Sequence, residues 1–258
     1  MSEAIVNRPH RAHALARAVF TTPRHFVVLM LVLTTAALAI DQQVGLLGQN
    51  LLGVAVWIVL FGAGAYLTPL ERSRVAVVVI VATIGEVIGS AIWGAYDYRL
   101  GSIPLFVPPG HGLVYLTGLA VSQLAWARQN AALFVRLALM LLTGWALWGL
   151  FLAERQDVAG AIGAAVLAVF LIRGTAAPLY AGVFIFVAYL ELFGTWIGTW
   201  TWAEHLPGTP IPDGNPPSGI AAGYVLFDIA ALAFAPALLA AFYWSAQKVA
   251  LRRVRGGR

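Results

Sequence analysis

Eight apolar stretches, most of them roughly 16–24 residues long and so of the length that crosses a bilayer, constrain this chain more than any other feature. At about 1.5 Å of rise per residue, such a stretch crosses a hydrocarbon core about 30 Å thick as a single helix. They fall at 25–40, 51–68, 75–95, 112–127, 132–152, 158–172, 178–198 and 220–245. The runs are continuous and do not alternate with period two, which sets a β-barrel aside. With 60% hydrophobic and only 10% charged residues, the chain also lacks the roughly 25% charge with which a water-soluble domain covers its surface. The expected fold is therefore an all-α polytopic membrane protein of about eight transmembrane helices.

The basic residues orient that bundle. With the N-terminus inside, one side receives Arg8, Arg11, Arg17, Arg24, Arg72, Arg74, Arg128, Arg136, Arg173, Lys248, Arg252, Arg253, Arg255 and Arg258, which is 14 of the 16; the other receives only Arg99 and Arg155. This positive-inside pattern puts both termini in the cytoplasm of a multi-pass cell-membrane protein. It also removes nucleic acid as a partner, because the basic residues are scattered over every second connection and form no single stripe. Asp41, Asp97, Glu154, Asp157, Glu204 and Asp213 lie on the outer side, with the two long loops 96–111 and 199–219. Residues 1–24 read as a basic amphipathic segment on the inner leaflet, and 248–258 as a basic tail.

The chain repeats itself. Glu86, Gly89, Ser90, Gly94, Tyr96 and Tyr98 correspond in order to Glu191, Gly194, Thr195, Gly198, Trp200 and Trp202, and the match resumes with Ile103-Pro104 and Pro108-Pro109 against Ile211-Pro212 and Pro216-Pro217. The offset is 105 at the glutamates and 108 at the prolines, so the second copy carries about three additional residues. Because the glutamates lie four spans apart, the copies share one orientation. This predicts two parallel four-helix repeats, 25–130 and 131–247, about a pseudo-two-fold axis along the membrane normal.

Glu86 and Glu191 then stand at similar depth, roughly 17–20 Å from the cytoplasmic ends of their spans. A carboxyl group there costs roughly 2.5–3.5 kcal/mol on insertion scales and faces a cavity or a partner. Ser90 and Thr195 follow at i+4 on the same helical faces, and Gly89 and Gly194 leave room for another helix or a ligand. Asp228 reaches comparable depth from the outside, with Tyr224 one turn above it. These three acids are the candidate catalytic groups, and Ser90, Tyr96, Asp97, Tyr98, His111, Tyr115, Thr195, Trp200, Trp202 and Tyr224 the candidate substrate contacts. The alternatives are plainer: acids that hydrogen-bond neighbouring helices, and tyrosines and tryptophans of an interfacial belt. No HExxH or paired-histidine spacing occurs, and neither GxSxG nor a nucleotide-binding glycine loop. With no cysteine in the chain, disulfides, thiolate nucleophiles and thiol-ligated metals are excluded, and no metal or other cofactor is expected.

The run Glu86-x-x-Gly89, Gly94-x-Tyr96-x-Tyr98, Leu100-Gly101 and Val107-Pro108 resembles the bisanhydrobacterioruberin hydratase family of carotenoid-biosynthesis membrane proteins, over about two dozen residues and their second copy. A looser similarity exists to integral-membrane terpene cyclases, which protonate an isoprenoid with acids placed in their spans. Both resemblances imply acid-initiated hydration or cyclisation of a carbon–carbon double bond in an isoprenoid or carotenoid lipid. Two other classes suit the same residues: a small transporter or lipid-binding protein with an acid-lined interface, and a non-catalytic subunit whose glycine-rich faces serve assembly into a homo-oligomer or membrane complex.

Overall fold

The computed structural model describes residues 16–256, with side chains as far as Trp244. The basic stretch 8–15, residues 257–258 and the side chains of Lys248, Arg252, Arg253 and Arg255 lie outside the described residues. The chain forms α1 (Pro23–Asp41), α2 (Leu46–Gly64), α3 (Pro69–Glu86) running on into a π-helical turn (Val87–Ile92), β1 (Tyr96–Tyr98), α4 (Val107–Ser122), a short α5 (Ala125–Gln129), α6 (Ala131–Phe151), α7 (Val158–Arg173), α8 (Ala177–Trp196), β2 (Trp200–Trp202) and α9 (Ala221–Gly256). It is an all-α polytopic protein. Six helices among the described residues, α1, α2, α3 with its π-helical turn, α6, α8 and the first 24 residues of α9, are long and apolar enough to span a membrane, and α7 is a shorter apolar helix. The eighth expected span is α4, only 16 residues long and mostly buried inside the protein. It starts five residues earlier than expected, because Pro108 and Pro109 occupy its first turn, where the fixed φ of proline suits a helix and no N–H is needed. Large apolar side chains such as Phe61, Met140 and Trp196 point outward, as a helix surface in hydrocarbon requires.

The inner helices obey the pseudo-two-fold. α3 packs against α9 about as extensively as its counterpart α8 packs against α4, and α2 meets α4 as α7 meets α9. Glycines permit the closest of these crossings: a Cβ on Gly182 of α8 would sit 2.2 Å from the carbonyl oxygen of Gly118 in α4, so backbones touch where small residues meet. The outermost pair departs from the symmetry. α6 packs broadly on α7 and α8, whereas α1 leans on α4 and meets α2 and α8 only slightly. That displacement leaves a cavity on one side of the molecule.

The two long loops pair with each other. β1 and β2 form an antiparallel ribbon in the register Tyr96 with Trp202, Asp97 with Thr201 and Tyr98 with Trp200. The ladder continues symmetrically through Ala203 N–H to the Ala95 carbonyl (2.9 Å) and Arg99 N–H to the Thr199 carbonyl (3.0 Å). Since residue 96 corresponds to 200 and 98 to 202, the central pair 97–201 sits on the pseudo-two-fold, which makes the ribbon an isologous contact between the repeats. A one-residue mismatch is resolved just before it. Eight residues separate Glu86 from Gly94 but seven separate Glu191 from Gly198, and the additional residue of the first copy is absorbed by the π-helical turn. Both helices then end on a left-handed glycine, Gly94 at φ 75° and Gly198 at φ 80°, followed by a residue whose N–H reaches back to Gly89 or Gly194.

The two basic residues expected on the outer side fasten this end. Arg99 donates to the Val44 carbonyl (2.8 Å), to the Asp41 carbonyl and to Asp41 Oδ2 (3.4 Å), while Gln49 donates to Asp41 Oδ1 (2.8 Å). Arg155 donates to the carbonyls of Trp202 (3.0 Å), Ala203 and Asp213. Asp157 caps α7 through Gly160 N–H (2.9 Å) and also accepts from Gly214 N–H (2.9 Å) and Ser218 N–H (2.8 Å), tying down the second loop.

Gly182→Ala is expected to destabilise the fold by about 1–3 kcal/mol through overpacking, whereas Gly144→Ala, which points into open space, leaves stability unchanged or raises it slightly; denaturant titration in detergent micelles separates the two. A pH effect follows from Asp213, whose carboxyl is pushed up to about 7 by burial and then by the neighbouring Asp157. A raised carboxyl favours the protonated folded state, so its contribution is complete below about pH 3.9 and lost as pH rises through about 7. The melting temperature should fall between pH 4 and 8, and Asp213→Asn should flatten that fall; a wild-type melting temperature insensitive to pH in this window counts against the assignment.

Candidate functional site

In a strand, side chains at i and i+2 share a face. Tyr96 and Tyr98, and likewise Trp200 and Trp202, therefore point to one side of the ribbon, while Asp97 and Thr201 on the other side are exposed. Under the aromatic face lie the two glutamates. Glu86, the last residue of α3, is buried; its Oε2 accepts hydrogen bonds from the hydroxyls of Tyr96 (2.7 Å) and Tyr98 (2.7 Å), and its Oε1 lies 3.2 Å from His111 Nε2 of α4. Glu191 of α8, also buried, accepts at Oε2 from the indole N–H of Trp200 (2.9 Å) and Trp202 (3.4 Å), and at Oε1 from the Tyr224 hydroxyl of α9 (3.1 Å). Each repeat thus surrounds its carboxyl with three polar partners, two from its own strand and one from a helix. Burial, and then the adjacent Glu86, push the Tyr96 and Tyr98 hydroxyls up from the ordinary phenol range, so both stay protonated and donate.

The cages touch. The rings of His111 and Tyr224 stack at 5.1 Å with 22° between planes, Phe227 stands edge-on to His111 at 5.7 Å, and Tyr96 meets Trp202 at 4.5 Å. Both glutamates and His111 border a cavity of about 440 Å³, which the ribbon closes at one end and which is otherwise walled by apolar side chains of α1, α2, α4, α8 and α9. The size suits a drug-sized ligand or one end of a longer one. Among its lining residues, Ala36 and Ile40 of α1, Ala55 of α2 and Trp93 beyond the π-helical turn are exposed. The cavity therefore opens sideways, through the gap left by the weak contact between α1 and α2, onto the surface that faces hydrocarbon.

Of the residues singled out in the sequence, Glu86, Glu191, Tyr96, Tyr98, His111, Trp200, Trp202 and Tyr224 line this cavity, and Ser90, Asp97, Tyr115, Thr195 and Asp228 do not. Each of the latter has a physical reason. Ser90 sits within the π-helical turn, half-buried, and has no place in the cavity wall. Thr195 donates to the Glu191 main-chain carbonyl (2.7 Å) and not to its carboxyl. Asp97 occupies the outer face of the ribbon. Tyr115 is buried in the main core. Asp228 is buried on α9 within electrostatic range of Tyr115 and Tyr180, and its Oδ2 has no hydrogen-bond partner among the described residues. The glycines also differ from expectation: a Cβ on Gly89 would stand 3.3 Å from the Tyr96 hydroxyl, and one on Gly194 would run into the Trp200 ring at 2.2 Å. They make room for the ribbon's own aromatic side chains. Phe227 was not foreseen; the signal is Gly85, where a Cβ would meet its ring at 2.9 Å.

Compared with protein-family models, with curated proteins and with solved structures, the chain matches none.

Trp200→Phe and Tyr98→Phe each remove one donor from a buried carboxyl while keeping a ring in place. Each is expected to cost about 1–3 kcal/mol, against less than about 0.5 kcal/mol for Thr201→Val on the exposed face. Equal stability of all three variants in a denaturant titration would show that the cages are not holding the ribbon.

Proposed function

We propose that this protein is an integral-membrane enzyme that hydrates or cyclises a double bond of an isoprenoid or carotenoid lipid, starting from a proton delivered by a carboxylic acid. The observation that carries the reading is the pair of caged carboxyl groups facing one apolar cavity that opens toward hydrocarbon. A polyene is soluble only in the bilayer, and a sideways opening admits it without a passage through water. Protonation of an alkene needs a carboxylic acid held in a site poor in water. The cation it forms needs stabilisation without nucleophiles, which the π faces of Tyr96, Tyr98, Trp200, Trp202 and Phe227 supply. Water addition and ring closure are redox-neutral, so the chemistry calls for no cofactor. Glu86 and Glu191 are the acid/base pair, and Asp228 assists from outside the cavity.

The resemblance of Glu86–Pro109 to the bisanhydrobacterioruberin hydratase family favours a carotenoid end group, and the cavity volume fits such an end better than a whole polyene. The positive-inside pattern puts the ribbon and the cavity mouth in the outer half of the cell membrane, with both termini in the cytoplasm.

Expression in a host that makes carotenoid and other isoprenoid precursors, followed by mass spectrometry of the lipid extract, tests the reading. The wild type is expected to yield a product 18 mass units heavier than its precursor for water addition, the mass of one water molecule, or an isomer of the precursor for ring closure. Glu86→Gln and Glu191→Gln, inserted normally, should each reduce conversion by about 10²–10⁴-fold. Full conversion by both variants defeats the acid/base assignment. Unaltered lipids together with pH-driven uptake into vesicles would replace the enzyme by the transporter that shares an acid-lined interface.

A further inference from the structure

Hydrogen-bond chemistry at His111 goes further than the position of the two carboxyls. His111 Nδ1 lies 3.0 Å from the Val107 carbonyl oxygen. A carbonyl only accepts, so Nδ1 carries a hydrogen. The other ring nitrogen, Nε2, faces Glu86 Oε1 at 3.2 Å with both groups buried. A bare Nε2 against a bare carboxylate oxygen would set two lone pairs against each other within a buried contact. One proton therefore lies between the two atoms, either on oxygen beside a neutral imidazole or on nitrogen beside a carboxylate, and the pair is electrically neutral in both forms. Glu86 Oε2 is engaged by two phenol donors and takes no part. Glu191 is built differently. The indole N–H groups on its Oε2 can only donate, which fixes that oxygen as an acceptor, and Oε1 meets the Tyr224 hydroxyl, which can donate or accept.

We infer that His111 and Glu86 act together as the acid that protonates the substrate, and that Glu191 is the base that activates water. This rests on the proposed alkene chemistry. The alkene π pair takes the proton held between Oε1 and Nε2, forming a C–H bond and a tertiary carbocation and leaving a Glu86 carboxylate beside a neutral His111. Water oxygen then forms the C–O bond, and the proton it releases goes to Oε1 of Glu191. The net change is addition of one water across one double bond. One proton has moved from the first cage to the second, and Tyr224, whose hydroxyl is bonded to Oε1 of Glu191, is the group beside the proton that the second cage receives.

Solid-state ¹⁵N NMR of histidine-labelled protein in lipid vesicles reads the proton arrangement without any substrate, with the His111 signal identified by its loss in His111→Gln. The expected result is a protonated Nδ1, and an Nε2 resonance shifted by a shared proton that moves to the value of a plain neutral imidazole in Glu86→Gln, whose amide only donates a weak hydrogen bond to it. An Nε2 signal identical in both proteins, or a ring with its only hydrogen on Nε2, overturns the shared proton regardless of any lipid analysis. In the expression assay His111→Gln should lower conversion by about 10²–10⁴-fold. Tyr224→Phe, which keeps the stacked ring but removes the hydroxyl bonded to Glu191, should lower steady-state conversion by at least about tenfold with the His111 spectrum unchanged. Full conversion by His111→Gln overturns the assignment of the acid while leaving the hydration reading in place; absence of any product from wild type overturns that reading while the spectrum still decides the shared proton.

Discussion

A carboxyl group inside a membrane protein must be given hydrogen-bond partners by the protein, since hydrocarbon supplies none, and much of this structure follows from meeting that need twice. Helices cannot do it with their backbones, because their N–H groups are spent within the helix. The partners must be side chains brought in from elsewhere. Here a three-residue strand delivers two of them at once, since residues two apart on a strand point the same way. The motifs Tyr96-Asp97-Tyr98 and Trp200-Thr201-Trp202 are therefore best understood as a pair of donors held at strand spacing above a glutamate. A lone three-residue strand is not stable, and pairing the two copies with each other supplies the ladder that each lacks.

Symmetry and its breakage divide the labour between scaffold and site. The pseudo-two-fold governs the crossings of α3 with α9 and α8 with α4, the glycine C-caps and the ribbon. It is broken at α1, whose loose contact with α2 and α8 leaves the cavity that α6, packed on α7 and α8, has filled on the opposite side. A perfectly symmetric molecule would have two such cavities or none. Arg99 and Arg155 belong to the scaffold: each is used up on backbone carbonyls that fasten the ribbon end, and Arg99 also on Asp41.

The sequence made the apolar helices and the repeat legible, because span length and residue order survive without knowledge of packing. It also singled out the two glutamates, since a charge in an apolar run stands out at any offset. The ribbon was hidden: three residues are too few to show alternation, and its aromatic side chains are equally those of an interfacial belt. The π-helical turn was written in the one-residue difference between the Glu86–Gly94 and Glu191–Gly198 intervals, but the larger insertion downstream masks it. Asp228 shows the limit of depth as a guide. It was placed with the glutamates by counting residues along helices, and counting gives height in the membrane but not the direction in which a side chain points around the helix axis.

The difference between the two cages is chemical before it is geometric. Exchange of tyrosine for tryptophan on the strand leaves a donor in place but takes away its ability to accept, and the third partner comes from non-equivalent positions, His111 in the first cage and Tyr224 in the second, of which only the histidine can hold a second proton. A duplicated glutamate is thereby set in two surroundings, one with an oxygen against a histidine nitrogen and one with an oxygen pinned as an acceptor by indoles and the other bonded to a tyrosine hydroxyl. Two identical carboxyls in identical cages would compete for the same role at the same pH, since each would respond to the field of the other. Addition across a double bond requires one proton to arrive and another to leave at different atoms. The proposed hydration would draw the former from the first repeat and the latter from the second, while the strands keep their spacing, register and glycines.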